Sequence, residues 1–305
     1  MDTSLFQDDP PARVRDRAVG CILGGAIGDA MGGPFEGRRG PVTFTEHTGW
    51  SISDDSQLTL ATCESIIEVN CVSPEHIAQR FVQWYRARRI SGMGASTLKA
   101  FRDLDAGLHW ALAGAKGEMS GGNGAAMRVA PLAFHLDPEN DQDRVLIRDV
   151  SRITHHNEEA YAGALAMVIT IRSLAFNQSA PIDILQIVSS RLPDSRVRDR
   201  IIQLASLGNE SVADIAAKFG SSAYVVESVP LVLFAARLIE RQTFDELLRM
   251  VIEAGGDTDT NASMLGQIAG AWIGAAAISR KMVELLPETT YIQNVASDFA
   301  NTLRA

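Results

Sequence analysis

Two segments of this chain crowd side-chain oxygens onto the start of a helical run, and any fold must account for both. The first is Gly255-Gly256-Asp257-Thr258-Asp259-Thr260-Asn261. Leu265, Ile268, Trp272 and Ala276 follow at helical spacing, so Asp259 and Thr260 fall near a helix N-terminus behind a flexible turn. The second is Ser53-Asp54-Asp55-Ser56-Gln57, followed by Leu60, Cys63 and Ile67 at the same kind of spacing. A helix cap accounts for one hydroxyl or carboxylate at each start. Asp257, Asp259 and Thr260 exceed what a cap needs, and oxygen donors this dense suit a hard cation. If the fold joins the two segments, Asp54, Asp55, Asp257 and Asp259 share one pocket. Their mutual repulsion then calls for protons or bound cations. Ligands that are all oxygen favour Mg²⁺ or Mn²⁺ over zinc. With the hydroxyls of Ser53 and Thr260 added, the set can supply two partly hydrated ions.

The remaining pattern is helical. A helix is expected from about Arg13 to Met31, three more between Gln57 and Asp105 with breaks at Ser73-Pro74 and Ser91-Gly92, and a helix end, acidic turn and new helix over Pro131 to Val150. Beyond these, helices are expected near 159–177, 181–191, 196–206, 211–218, 225–239, 243–253, 259–279 and 289–303. Strand-like alternation is scarce, with a short extended piece expected within 41–52. The fold class is therefore all-α, a multi-helix bundle, and 305 residues can form one domain with a large core. Residues 1–12, acidic and holding Pro10-Pro11, read as a disordered lead-in or a docking arm ahead of a domain over 13–305. Gly20, Gly24, Gly25 and Gly28 lack the strand and the spacing of a dinucleotide fingerprint, so close packing of a central helix is expected. Gly266, Gly270 and Gly274, four apart, point to close helix–helix contact as well.

A net charge of -9 and a pI of about 5.2 argue against a general nucleic-acid or anionic-membrane binder. The most apolar stretch, Met264 to Ile278, is too short to span a membrane, and the N-terminus lacks a basic region followed by an apolar core. Cys21, Cys63 and Cys71 form no paired framework, so reduced thiols and a cytoplasmic location are expected. A monomer is expected.

Three loop segments carry further polar chemistry. Ser120-Gly121-Gly122-Asn123-Gly124 runs into Ala125-Ala126-Met127-Arg128, and such a loop is either a plain turn or a set of backbone N–H groups aimed at one anion. Glu36 lies in a long loop reaching Ser53, of the kind that is usually functional or mobile. Thr154-His155-His156 has no nearby Cys or His to make a zinc site. Asp29 sits on an otherwise apolar helix and needs a partner if buried; outer support of the ions is one reading, an exposed or capping role the other.

In chain order, Gly28-Asp29-Ala30-Met31-Gly32 with Glu36, Ser53-Asp54-Asp55-Ser56, Gly122 to Arg128, Thr154-His155 and Gly255 to Thr260 resemble the motifs of the ADP-ribosylglycohydrolases. The resemblance extends from about residue 15 to residue 280. It implies an all-α domain of that type with a dinuclear Mg²⁺ or Mn²⁺ site, which removes ADP-ribose from a modified protein or a small conjugate. On that resemblance, Ser53, Asp54, Asp55, Asp257, Asp259 and Thr260 hold the ions, and Glu36 and Asp55 are catalytic candidates. The loop Ser120, Gly121, Gly122, Asn123, Gly124 would hold the diphosphate, Met127 and Arg128 are further substrate-side candidates, and His155 would line the pocket near the ribose or phosphates. Some relatives carry an aromatic on adenine at the position of Gly121, so that contact must come from elsewhere here or be weaker. Gly92 stands where relatives acting on ADP-ribosylarginine have an acid, and Gly92-Met93-Gly94 looks more like relatives acting on ADP-ribosylserine. Gly92 and Gly94 are substrate-side candidates for that reason. Two other readings stay open: a module that binds ADP-ribose without cleaving it, and a metal-dependent hydrolase of another nucleotide-like substrate.

Overall fold

The computed structural model describes residues 10–303 apart from 209. Of the N-terminal arm expected over 1–12, residues 1–9 lie outside the described residues, and 10–12 already belong to the first helix. That helix, α1 (Pro10–Gly32), pairs with α14 (Thr258–Ile273) through glycines. A Cβ on Gly24 would lie 2.2 Å from the Gly266 carbonyl oxygen, one on Gly28 2.0 Å from that of Ala262, and one on Gly20 2.5 Å from that of Gly270. The partner numbers fall as the α1 numbers rise, so the helices run antiparallel with their backbones in contact. The physical consequence is positional: the end of α1 lies beside the start of α14, and Asp29 meets Asp259. By length and composition the window around α1 could also cross a membrane, but 83% of it is buried inside this fold.

Around the pair lie α2 (Asp54–Val69), α3 (Pro74–Arg86), α4 (Ala95–Asp105), the single turns α5 (Trp110–Ala113) and α6 (Leu132–His135), and α7 (Asp141–Arg152). They are followed by α8 (Glu158–Ala175), α9 (Ile184–Arg191), α10 (Arg196–Ala205), α11 (Val212–Phe219), α12 (Val225–Ala236) and α13 (Phe244–Glu253). After α14 come α15 (Arg280–Leu285) and α16 (Thr289–Asn301). Local chemistry sets the starts: Ser211/Asp214 and Thr243/Glu246 form reciprocal capping boxes on α11 and α13, and Asn157 caps α8 through the Glu159 and Ala160 amides. α8 is apolar nearly all round and buried over most of its length, as a core helix should be. α14 stops earlier than its apolar pattern suggests, because Gly274 turns the chain at φ +79°.

Two pieces of extended backbone depart from the sequence expectation. The piece expected within 41–52 lies earlier instead. Gly37 N–H donates to Gly256 O and Gly256 N–H to Arg38 O, both at 2.8 Å, Val42 N–H donates to Glu253 O at 2.8 Å, and Arg39 bridges Gly255. Those contacts need the Gly255-Gly256 turn. Both residues have positive φ, and a Cβ on either would come within 2.3 Å of Gly40 N or Ser221 O. Secondly, β1 (Ala115–Lys116) pairs in parallel with β2 (His155–His156). Two-residue strands are too short to show alternation, yet this pairing fixes the backbone at His155.

Candidate active site

The two acidic segments meet. Asp29 arrives from the end of α1, Asp54 and Asp55 from the first turn of α2, Asp257, Asp259 and Thr260 from the start of α14, and Glu36 from the loop after α1. Carboxylate oxygens of Asp29, Asp55 and Asp259 lie within 4.8 Å of one another, as do those of Glu36, Asp257 and Asp259. Asp29 is buried and caps α2 from the neighbouring helix. It accepts from Ser53 N–H at 3.0 and 3.1 Å, from Ser56 N–H at 3.1 Å and from the Ser56 hydroxyl at 2.5 Å. Asp29 is therefore not an exposed acid: it caps the start of α2 and lies against Asp55 and Asp259. The hydroxyls of Ser53 and Thr260 donate to the same oxygen, Asp55 Oδ2, at 2.9 and 3.2 Å, which links residues 205 positions apart. The other oxygen, Asp55 Oδ1, is buried with no hydrogen-bond partner among the described residues.

Burial and crowding hold these groups above the ordinary carboxylate range. Asp29 is pushed up to about 6 by burial, Asp54 to about 7 by burial and then the charge of Asp29, and Asp259 to about 9 by burial and then Asp257. Asp55 is raised well above the usual value by burial and then Asp259, and Glu36 is raised by burial and then Asp257. An all-oxygen donor set with an orphaned buried oxygen fits a divalent cation. The sign of the pH dependence follows. In metal-free protein these acids keep protons that the unfolded chain releases near pH 4, so the stability they permit is fullest at low pH and is lost as pH rises through about 6, 7 and 9. The thermal midpoint in chelator is therefore expected to fall from about pH 5 to about pH 9, and added Mg²⁺ to restore it most at the alkaline end. A midpoint that is flat or rising over that range, measured by differential scanning fluorimetry, would contradict a shared buried cluster.

The glycine-rich loop forms the opposite wall. Gly122, Asn123, Gly124, Met127 and His155 line the same cleft as Glu36, Asp54, Asp55, Asp257, Asp259 and Thr260, with Gly92 and Gly94 at its edge. Asn123 Nδ2 donates to Asp257 Oδ2 at 2.6 Å, so the loop is tied to the acids. Three expected substrate contacts do not line this cleft. Ser120 is buried with its hydroxyl donating to Gly117 O at 2.6 Å, Gly121 faces Tyr224, and Arg128 is fully buried beneath the loop. Ser53 acts through its hydroxyl on Asp55 and is not part of the cleft lining.

Sequence reasoning missed Ala95, Ser96, Thr97, Met119 and Ala223, which also line the cleft, and Tyr224, which packs against Gly121. Met119 is 96% exposed at the cleft, an unusual position for a large apolar side chain that no periodicity could have flagged. A Cβ at Gly121 would sit 3.2 Å from Tyr224 Cε2, so the ring from the start of α12 occupies the space a side chain at 121 would fill. Gly122 and Tyr224 form a backbone bridge that holds this arrangement.

Comparisons with known proteins give the family and the fold. The profile of the ADP-ribosylglycohydrolase family matches residues 10–305. The ADP-ribosylhydrolase ARH3 of Gallus gallus is 26% identical over 321 residues, covering 87% of this chain and 86% of the relative. The ADP-ribosyl-dinitrogen reductase glycohydrolase of Rhodospirillum rubrum is 27% identical over 278 residues, covering 86% and 87%. The ADP-ribosylarginine hydrolase Tri1 of Pseudomonas putida is 26% identical over 306 residues, covering 94% and 79%. A solved structure described as an ADP-ribosylglycohydrolase-related protein complex superposes with a TM-score of 0.77 at 24% identity, covering 96% of this chain and 100% of that one, and so shares its fold. With the family match running from the first turn of α1 onward, the protein belongs to the ADP-ribosylglycohydrolases and is a hydrolase of glycosidic linkages to ADP-ribose.

Proposed function

We propose that the chain cleaves ADP-ribose from an O-linked, serine-like acceptor on a modified protein or small conjugate, with two Mg²⁺ or Mn²⁺ ions in the acidic cluster. The observation that carries the ion reading is Asp55 Oδ1, buried and unpartnered among carboxylates of α1, α2 and α14. Asp54, Asp55, Asp257 and Asp259 would hold the ions, with Ser53 and Thr260 assisting. Such ions supply Lewis acidity toward oxygen groups. The chain's own residues do the rest. The backbone N–H groups of Gly122 and Gly124 and the His155 ring would face the diphosphate, while the Asn123 N–H holds the loop to Ala223 O at 2.9 Å. Water adds at the anomeric carbon, the bond to the acceptor oxygen breaks, and that oxygen leaves with a proton. Glu36, exposed and grouped with Asp257 and Asp259, or the ion-binding carboxylate of Asp55, would move that proton. Negative charge nearby favours the oxocarbenium character of the transition state.

Gly92 supports the O-linked acceptor. Relatives named for arginine linkage and for ADP-ribosylhydrolase ARH3 are equally similar at 26%, so identity does not decide. At Gly92 the φ is +83° and a Cβ would lie 3.3 Å from Asp54 Oδ1, which leaves no comfortable place for an acidic side chain facing a guanidinium. The free cysteines accord with the cytoplasmic location we also propose. The test is release of ADP-ribose from serine-linked and arginine-linked peptides, with and without chelator. Release from the serine linkage is expected to be at least about tenfold faster, and chelator to abolish it. Faster arginine cleavage would overturn the acceptor; undiminished release in chelator would overturn the ions. Binding of ADP-ribose with no release in Mg²⁺ would instead favour a module that only binds.

A further inference from the structure

Arg128 is among the largest fully buried side chains of the protein, and it does not reach the cleft. Its guanidinium lies 5.0 Å from the Phe81 ring centroid. Nε donates to Gly124 O at 3.1 Å, both terminal nitrogens reach Val150 O at 3.4 and 3.5 Å, and one of them donates to Thr154 Oγ1 at 2.7 Å. A guanidinium has only donors, so the Thr154 oxygen must accept there. The Thr154 hydroxyl has one proton of its own, and the one acceptor within reach among the described residues is His155 Nδ1 at 2.8 Å. Nδ1 therefore accepts, and the ring proton sits on Nε2. Nε2 is the nitrogen that faces the glycine loop: a Cβ at Gly122 would lie 3.3 Å from it and one at Gly124 3.2 Å from it. It has no hydrogen-bond partner among the described residues, and His155 lines the cleft.

We propose that Arg128 and Thr154 are positioning residues that lock His155 in its Nε2–H tautomer, so that the ring presents a neutral donor to an anionic phosphate oxygen of the bound ligand. The phosphate part rests on the proposed function; the tautomer does not. The same guanidinium ties down the Gly124 carbonyl, so this acceptor is kept from facing the anion. Burial and the Arg128 charge also hold His155 down to about 3, so the ring stays neutral at physiological pH and its direction of donation, not its charge, is what the relay controls. Without Thr154 the ring can place its proton on Nδ1, and Nε2 then turns a lone pair toward the phosphate.

The full chain, labelled with ¹⁵N-histidine, tests this by two-bond proton–nitrogen correlation, with His155 assigned by its loss in His155→Gln. The wild-type signal is expected to show protonated Nε2 and bare Nδ1 from about pH 5.5 to about pH 8. A protonated Nδ1 would overturn the relay whatever the enzyme's activity. Thr154→Val is expected to lose the fixed tautomer and to weaken ADP-ribose binding about 10- to 100-fold, the range for one hydrogen bond to a charged oxygen. The loss should fall on KM more than on kcat, and Thr154→Ser should restore both tautomer and affinity. Unchanged affinity in a folded Thr154→Val protein would also overturn the proposal. Should that variant fail to fold, the wild-type spectrum and Thr154→Ser decide. Calorimetric binding of ADP-ribose reads the effect even if the wild type releases no ADP-ribose, which would reject the proposed activity and leave the relay standing.

Discussion

Asp55→Asn and Asp259→Asn are each expected to lower ADP-ribose release by about a thousandfold or more while raising the thermal midpoint of chelator-treated protein. The two effects have one cause. In the metal-free fold, carboxylates of Asp29, Asp55 and Asp259 lie within 4.8 Å of one another in a buried site, and their pKa values are raised because ionising all of them there is unfavourable. An asparagine removes one charge and keeps the shape. At 55 its oxygen can still accept from Ser53 and Thr260, and its NH₂ replaces the orphaned Oδ1 with a donor facing two carboxylates. At 259 its oxygen can still accept from the Thr260 amide, 2.9 Å away. Stability is gained for the reason that ion binding is lost. Mg²⁺ should accordingly raise the wild-type midpoint and leave the variants nearly unmoved. Near-normal release by both variants would remove these residues from the reaction. A loss of stability in both would make them structural anchors instead.

Gly28→Ala is expected to destabilise the protein by about 3 kcal/mol or more, enough to deplete the soluble fraction. The new Cβ would lie 2.0 Å from Ala262 O and 2.4 Å from its carbonyl carbon, both backbone atoms of α14. No rotamer relieves such a contact, so the helices must move apart over their shared length. That shift would also separate Asp29 from Asp259 and weaken ion binding in whatever protein still folds. Gly33→Ala is the control: nothing lies within 4 Å of its Cβ and its φ is unremarkable, so stability should change by no more than about 0.5 kcal/mol. Equal midpoints for the two variants in a denaturation series would show that the close approach of α1 and α14 is not what holds the core.

Many of the helices were legible because they bury an apolar stripe, and period is a local property of sequence. α3, α7, α10 and α13 read this way, and their capping residues mark the starts. α15, six residues long and following an apolar run, had no stripe of its own to show. The parallel pair β1–β2 was invisible for the same reason, and with it the anchoring of His155.

The acid segments were legible as chemistry, since Asp257, Asp259 and Thr260 outnumber the needs of a cap, and so was the close packing of the glycines. Where each polar group points was not legible. Arg128, a substrate-side candidate by resemblance, lies under the glycine-rich loop and faces Thr154. Tyr224 carried no sign of the cleft at all, because its partner Gly121 is a hundred residues away. The sequence by itself determined the helical class, the two oxygen-rich helix starts and the small residues that let α1 and α14 touch, because these depend on neighbours along the chain. Only the tertiary structure decided which oxygens share a site, which arginine is buried and which aromatic stands beside the loop. The first depends on the antiparallel register of two helices separated by more than two hundred residues, and the other two on contacts between the glycine loop and segments distant in sequence.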